Sequence, residues 1–459
     1  MVIDTTLLSR AQFGFTVGFH ILFPTLNIGL ATFLSVMEGL ALKTRNPIYL
    51  NICRFWTKIF ALTFGMGVVS GIVLAYELGT NFGPFIRVAG GVLGPLFAYE
   101  VLSAFFLEAG FLGVMLLGWN KVSPALHYMA TLLVTLGTTI SAFWILSANS
   151  WMQTPAGFHV EAGTYIVDNW WAVIFNPSCL PRFTHMLMAS YLTTCFVVAG
   201  VSAWFLLKQR HVDMAKTCLS FALAAALVIA PLQIVLGDLV GLKVHQYQPL
   251  KTAAMEGNWQ TQAGAPLVLF AIPDSKAEKN RFQLSVPKLA SLINTHHWNG
   301  TLLGLKAVPA SARPVIGSTF WMFRIMVGSS LLFLLVAAVA CYLRWRGKLY
   351  RYRYFYRLCV LVAPLGFLST IAGWVTAESG RQPWIVHGLI RTSEGASAIP
   401  LHQVVFSLLL LLLVYGVVFS FYLFYLFKVI NKGPESTFSS AATEPVTEIP
   451  FSYMSSEVK

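Results

Sequence analysis

Long apolar runs separated by mostly short polar connections dominate this chain. Nine are long enough to cross a hydrocarbon layer of roughly 30 Å: about 13–40, 53–77, 92–118, 126–147, 182–207, 217–240, 319–343, 356–377 and 401–427. Each is expected to be helical, because a bilayer offers no partner for an unpaired backbone N–H or C=O. The expected fold class is therefore an all-α polytopic membrane protein with about nine transmembrane helices. Two segments break the pattern. Residues 241–318 are mostly polar and too long for a simple connector, so they read as a functional loop. Residues 431–459, rich in Ser, Thr, Glu and Pro, read as a disordered tail. This divides the chain into helices one to six (1–240), the loop (241–318), helices seven to nine (319–430) and the tail (431–459).

Composition agrees with this division. Of 459 residues, 56% are hydrophobic and only 11% charged, which excludes an ordinary soluble domain. The first run follows a short polar leader, Met1 to Arg10, and is too long for a signal-peptide core, so it reads as a retained helix. The six cysteines form no CxxC pair and fall mostly in or beside the runs, which suits packing better than a zinc site or a disulfide framework. The net charge of +13 marks orientation and not a nucleic-acid partner. Lys43, Arg45 and Arg54 surround the first connection, Lys208, Arg210 and Lys216 the fifth. Six basic residues between Arg344 and Arg357 follow run seven, and Lys428 and Lys432 end run nine. The alternate connections are poor in Lys and Arg, so the N-terminus is expected outside and the C-terminus in the cytoplasm.

That orientation sets the depth of the residues a bilayer should reject. His20, His185 and Met326 lie a few residues into helices entered from outside, and Glu378 ends a helix emerging there. These four potential iron ligands share the outer half of the membrane. An iron held by His and Met on opposite faces has no free position and suits electron transfer, whereas one held on one side by His or carboxylate keeps a position for a gas ligand. A single intramembrane histidine has plain packing as its alternative, but the set together is harder to explain that way.

Run three carries Glu100 and Glu108. Eight residues apart, they lie on one broad side of a regular helix, about 12 Å apart along it. With Ser103 between them, they read as a proton relay from the cytoplasmic side, the alternative being neutral carboxylic acids that join helices. Lys58, near the inner end of run two, reads as a side chain snorkelling to the headgroups.

Several short motifs then converge. Arg10-Ala-Gln-Phe-Gly-Phe leading to His20, Arg182-Phe-Thr-His185, Gln248-Pro-Leu-Lys-Thr-Ala-Ala-Met-Glu256, Phe323-Arg-Ile-Met-Val327 and Gly380-Arg-Gln-Pro-Trp384 occur in order on the expected elements. Together they resemble subunit I of the cytochrome bd quinol oxidases, from Arg10 to about Thr392. The resemblance implies that His185 and Met326 ligate a low-spin haem b. It implies that His20 and Glu378 are axial ligands of the two haems of the oxygen-reducing centre, a high-spin haem b and a haem d; which haem His20 holds stays open. Arg324 and Arg381 would lie near haem propionates or other buried carboxylates.

Lys251 and Glu256 would act on quinol in the outer loop, apart from the iron sites, the alternative being a solvated ion pair. The 75 positions from Lys251 to Met326 (326 minus 251) imply a short-loop member. Ile385-Val-His-Gly-Leu-Ile-Arg-Thr392 looks like the cyanide-insensitive branch, whose members can carry haem b in place of haem d. His387 is then a branch marker near the haems or an interfacial side chain. The implied partners are a second membrane subunit (subunit II), small single-span subunits, quinol, dioxygen and the lipid of a bacterial cytoplasmic (inner) membrane. Three other classes fit less well. A haem-copper oxidase needs an intramembrane histidine cluster, whereas His296 and His297 fall in the loop. A secondary transporter usually shows internal repeats, and an electron-transfer b-type cytochrome leaves His20 and Glu378 idle.

Overall fold

The computed structural model describes residues 5–434, so Met1 to Asp4 and all but the first few residues of the expected tail lie outside it. Among the described residues nine helical spans are long and apolar enough to cross a membrane: Thr5–Thr44, Pro47–Asn81, Gly83–Leu117, Pro124–Gln153, Cys179–Leu207, Val212–Tyr247, Ile316–Trp345, Arg353–Ser379 and Leu401–Lys432. They are called spans one to nine. The order is as expected from the apolar runs, but the helices overrun those runs at most ends. A helix closes its own backbone hydrogen bonds whatever its side chains, so hydropathy marks the hydrocarbon layer and not the last turn. Span six continues through Asp238, Lys243 and His245, and span seven begins at Ile316, leaving 248–315 as the long connection.

Local chemistry sets several ends and breaks. Asn46 and Ser123 accept the N–H groups of Ile48 and Leu126, each followed by proline at the first helical position. Span one is interrupted at Ile21, between helices Thr5–His20 and Leu22–Thr44. Pro24 lacks the N–H that would bond the His20 carbonyl, which places the break beside that histidine. Span eight is broken similarly before Leu365, next to Pro364. Span three contains a π-helical turn, Val101–Phe105.

Spans one to four form one four-helix group, with neighbours in the order one, two, three, four and back to one; spans five to eight form another in the same manner. Spans one and five join the groups, and span nine packs on spans one and two. The largest apolar core lies at the end of the bundle that carries connections 45–46, 208–211 and 346–352, around Trp56, Phe205, Cys218 and Phe333. Small residues allow the helices to approach. A Cβ at Gly29 would stand 2.1 Å from Thr194 Oγ1, and one at Gly200 would stand 2.5 Å from Ala363 Cβ.

The opposite end carries the structured connections. Hairpin Phe158–Glu161/Thr164–Val167 follows span four, and hairpin Trp384–Val386/Ile390–Arg391 follows span eight. The long connection is ordered. It holds a short helix Pro249–Glu256, an eight-residue-stranded hairpin Leu267–Asp274/Lys279–Val286 and a helix Leu289–Thr295.

Candidate functional site

His20, His185, Met326 and Glu378 lie toward the end of the bundle away from the main apolar core. His20 Nδ1 lies 3.0 Å from Ser70 Oγ of span two, and Gly71 is so close that a Cβ there would sit 3.2 Å from the imidazole. His185 has its Nε2 3.4 Å from Gln233 Nε2, while its buried Nδ1 has no partner. A Cβ at Gly237 would stand 3.3 Å from the His185 ring. Met326 lies against span eight, where a Cβ at Gly373 would come within 2.8 Å of its sulfur. His185 and Met326 belong to spans five and seven, which are diagonal in their four-helix group. Both therefore come from opposite sides of one bundle.

Glu378 sits at the centre of a polar network. Its Oε1 accepts from Asn149 Nδ2 (3.0 Å) and Gln153 Nε2 (3.3 Å), and its Oε2 accepts from Arg381. Gln153 in turn accepts from Lys251 Nζ at 2.5 Å through its own side-chain oxygen, and its backbone carbonyl accepts from Gln248 at 2.7 Å. Lys251 is only 2% exposed and lies against Gly380, where a Cβ would meet its Cγ at 2.7 Å. For Lys251 the solvated alternative falls and one expectation is corrected. It is not a solvated loop residue, and it is not apart from Glu378: one side chain, Gln153, joins them. The physical cause is the helix Pro249–Glu256, which folds inward and buries Lys251 through Glu256 instead of presenting them to water.

Charge is unbalanced there. Burial, reinforced by the cations Arg182 and Arg381, pushes the Lys251 amine well below its ordinary range. Burial, reinforced by Lys251 and Arg381, lowers His387 to about 4. Arg381 Nε and Nη1 and Arg182 Nε are buried without partners. Two guanidinium groups thus retain unused donors around a single carboxylate, an arrangement suited to a further anionic group.

Glu256 is 2% exposed, with Oε1 accepting from Asn294 at 3.1 Å and Oε2 buried without a partner. Burial raises its pKa, opposed by the Asn294 bond and by the Arg324 charge. It forms no ion pair with Lys251. Arg324 donates to the carbonyls of Met255 (2.6 Å), Phe320 (3.0 Å) and Val268, and its guanidinium lies 3.4 Å from the Phe320 ring centroid. Instead of clamping a carboxylate in bidentate fashion, it fastens the loop helix and hairpin to span seven.

In span three, Glu108 is 7% exposed and packs against span four, where a Cβ at Gly137 would stand 2.6 Å from its Cγ. Glu100 accepts from Ser141 at 2.9 Å. Ser103 does not bridge the two carboxyls: its hydroxyl donates to the Tyr99 carbonyl and accepts from Trp144. The π turn falls between them, so they are not related by regular α-helical spacing. A π turn inside an α-helix is frequently found at a functional site. Lys58 is exposed on span two.

Reading the sequence misses Arg182 as a site cation, Gln153 as the link to the loop, and two further buried carboxyls. Glu38 pairs with His127 (2.6 Å) and Thr131 (2.7 Å), and Glu77 accepts from Gln12 (3.1 Å) and Thr16 (2.9 Å). Their presence inside apolar runs was the available signal; Gln153 gives no such signal.

Fold and site together define a multi-pass membrane protein whose two four-helix groups hold half-buried histidine, methionine and carboxylate groups beside guanidinium groups. The family described as Cytochrome bd terminal oxidase subunit I matches residues 8–434, and the chain belongs to it, which makes it a subunit of an oxidoreductase. It is 34% identical over 457 residues to the cytochrome bd ubiquinol oxidase subunit 1 of Bacillus subtilis (strain 168), covering 97% of each chain. It is 31% identical to the cytochrome bd-II ubiquinol oxidase subunit 1 of Escherichia coli (strain K12), covering 96% of this chain and 99% of that one. The bd oxidase structure from Geobacillus thermodenitrificans superposes with a TM-score of 0.87 at 30% identity, covering 94% of this chain and 99% of its counterpart.

Proposed function

We propose that this chain is the haem-bearing subunit of a quinol oxidase, with quinol oxidised at the outer face and dioxygen reduced to water within the bundle. The observation that carries this reading is the Lys251–Gln153–Glu378 link, which joins the loop helix to an intramembrane carboxylate among unsatisfied guanidinium groups. His185 and Met326 would hold a low-spin haem b. His20 and Glu378 would each hold one haem of the oxygen-reducing centre, a high-spin haem b and either a haem d or a second haem b. When bound, these haems carry electrons and activate dioxygen. The fit rests on the partnerless Nδ1 of His185, the close glycines at all three uncharged ligands, and the spare donors of Arg182 and Arg381. Those donors suit propionates.

The protein's own groups would handle protons. Glu256, with its raised pKa, is suited to accept a proton from quinol, and the Lys251 amine to orient a quinol oxygen. Glu108 and Glu100 would deliver protons for water formation from the cytoplasm. The charge asymmetry of the connections supports an outside N-terminus and a cytoplasmic C-terminus in a bacterial cytoplasmic membrane. Opposite-side proton release and uptake would then build a gradient without a pump. A second membrane subunit, with small single-span ones, would complete the enzyme.

The test is oxygen uptake by membranes containing the assembled complex, started with quinol, alongside reduced spectra with and without carbon monoxide. Quinol-dependent uptake and a carbon-monoxide-responsive high-spin signal are expected. A colourless protein, or haem that ignores carbon monoxide, would overturn the proposal.

A further inference from the structure

At the end of the bundle opposite the Glu378 network, the ends of spans one, six and seven surround a cavity of about 590 Å³. Its wall on span six changes character with depth. Lys216, Ser220, Leu223 and Leu227 line it at intervals of four, three and four residues, so they form one helical stripe running from cation to hydroxyl to apolar side chain. The stripe spans 11 residue steps (227 minus 216), about 16 Å at helical rise. This is roughly half of the hydrocarbon layer, the depth of a single leaflet. Met37, Leu40 and Ala340 continue the apolar wall from the other spans.

The mouth is built and cationic. Arg344 donates to Ser220 Oγ across the span six and seven contact. The Tyr350 hydroxyl donates to the Lys216 carbonyl at 3.3 Å, and the Lys216 ammonium lies 5.7 Å from the Tyr350 ring centroid. The segment after span seven is thereby held against span six, with two cations over one opening. None of the residues lining the cavity carries a carboxylate to neutralise them. Arg346, Lys348 and Arg351 add positive potential beside the mouth. A quinone head is neutral and would leave both charges uncompensated; a phosphodiester would not.

We propose that this cavity binds one anionic phospholipid, its phosphate between Lys216 and Arg344 and one acyl chain along Leu223 and Leu227. Basic pockets between transmembrane helices at the cytoplasmic face bind anionic lipid headgroups by the same chemistry. The assignment to the cytoplasmic leaflet rests on the proposed orientation; the lipid chemistry does not.

The experiment uses the assembled oxidase, delipidated in mild detergent and titrated with phosphatidylglycerol or with phosphatidylcholine of identical chains. Native mass spectrometry counts the lipid retained. One phosphatidylglycerol is expected to persist where phosphatidylcholine is lost. The double variant Lys216→Ala/Arg344→Ala should weaken its retention about thirtyfold, as two surface cations are removed. Ala224→Phe, which narrows the apolar slot but keeps both cations, should also lower retention. Unchanged haem spectra in both variants would show that the fold is intact. Equal retention of the two lipids, retention untouched by either variant, or recovery of a quinone as the occupant would overturn the proposal.

Discussion

Lys251 and Glu256 lie five residues apart on one short helix, yet their surroundings differ. Lys251 faces Gln153 and the cations around Glu378, whereas Glu256 faces Asn294 and Arg324. Glu256 accepts a proton only when ionised, and burial raises its pKa. Quinol oxidation should therefore rise with pH above the ordinary carboxylate range, as Glu256 loses its proton. Glu256→Gln should abolish that acid limb and slow quinol oxidation by roughly 10²-fold or more, with haem spectra intact. A pH–rate profile keeping its acid limb in the variant would remove Glu256 from the proton-accepting role. Lys251→Met should behave differently. It deletes the donor to Gln153, which bonds Glu378, so slower quinol oxidation should be accompanied by a shift in the high-spin haem spectrum. An unchanged spectrum would mean that Gln153 does not transmit the substitution.

At the scale of elements, close helix approach positions the proposed ligands. Gly373 of span eight leaves room for the Met326 sulfur on span seven, as Gly237 of span six does for the His185 ring. Met326→Leu conserves volume and should cost less than about 1.5 kcal/mol of stability, while altering the low-spin haem signal and lowering its midpoint potential. Gly373→Ala tests the same ligand without touching it. Its Cβ would lie 2.8 Å from the sulfur, so the thioether must move and the same spectral band should change in part. A redox titration of both variants checks this, and wild-type potentials in the pair would rule out Met326 as a ligand.

The whole molecule separates two ends. Glu378, Lys251 and the ordered connections occupy one, while most of the apolar core and the basic connections occupy the other. Glu108 lies on the core side of Glu100 along span three, past the π turn. Glu108→Gln keeps the shape but cannot pass a proton through an ionised state. Oxygen turnover should fall roughly 10²-fold while quinol still reduces the low-spin haem. Stopped-flow reduction and oxygen uptake in oriented vesicles would separate the two steps; full turnover in the variant would eliminate cytoplasmic entry through Glu108.

Nine apolar runs, spaced along the chain, were enough to determine the nine spans found among the described residues, since in a bilayer the backbone has no other way to satisfy its hydrogen bonds. Linear spacing then put His20, His185, Met326 and Glu378 in the same half of the expected bilayer, because each residue adds about 1.5 Å of rise in a helix. What linear spacing could not supply was the neighbour across a helix contact. Gln153 reaches Lys251 98 positions away and Glu378 225 positions away, and nothing in its own run distinguishes it from a helix-ending polar residue. The inward fold of Pro249–Glu256 turned a polar loop segment into buried chemistry. The π turn changed the register between Glu100 and Glu108, and the donors of Arg324 went to loop carbonyls. Each of these depends on which surfaces meet once the two four-helix groups pack, so tertiary structure alone decided them.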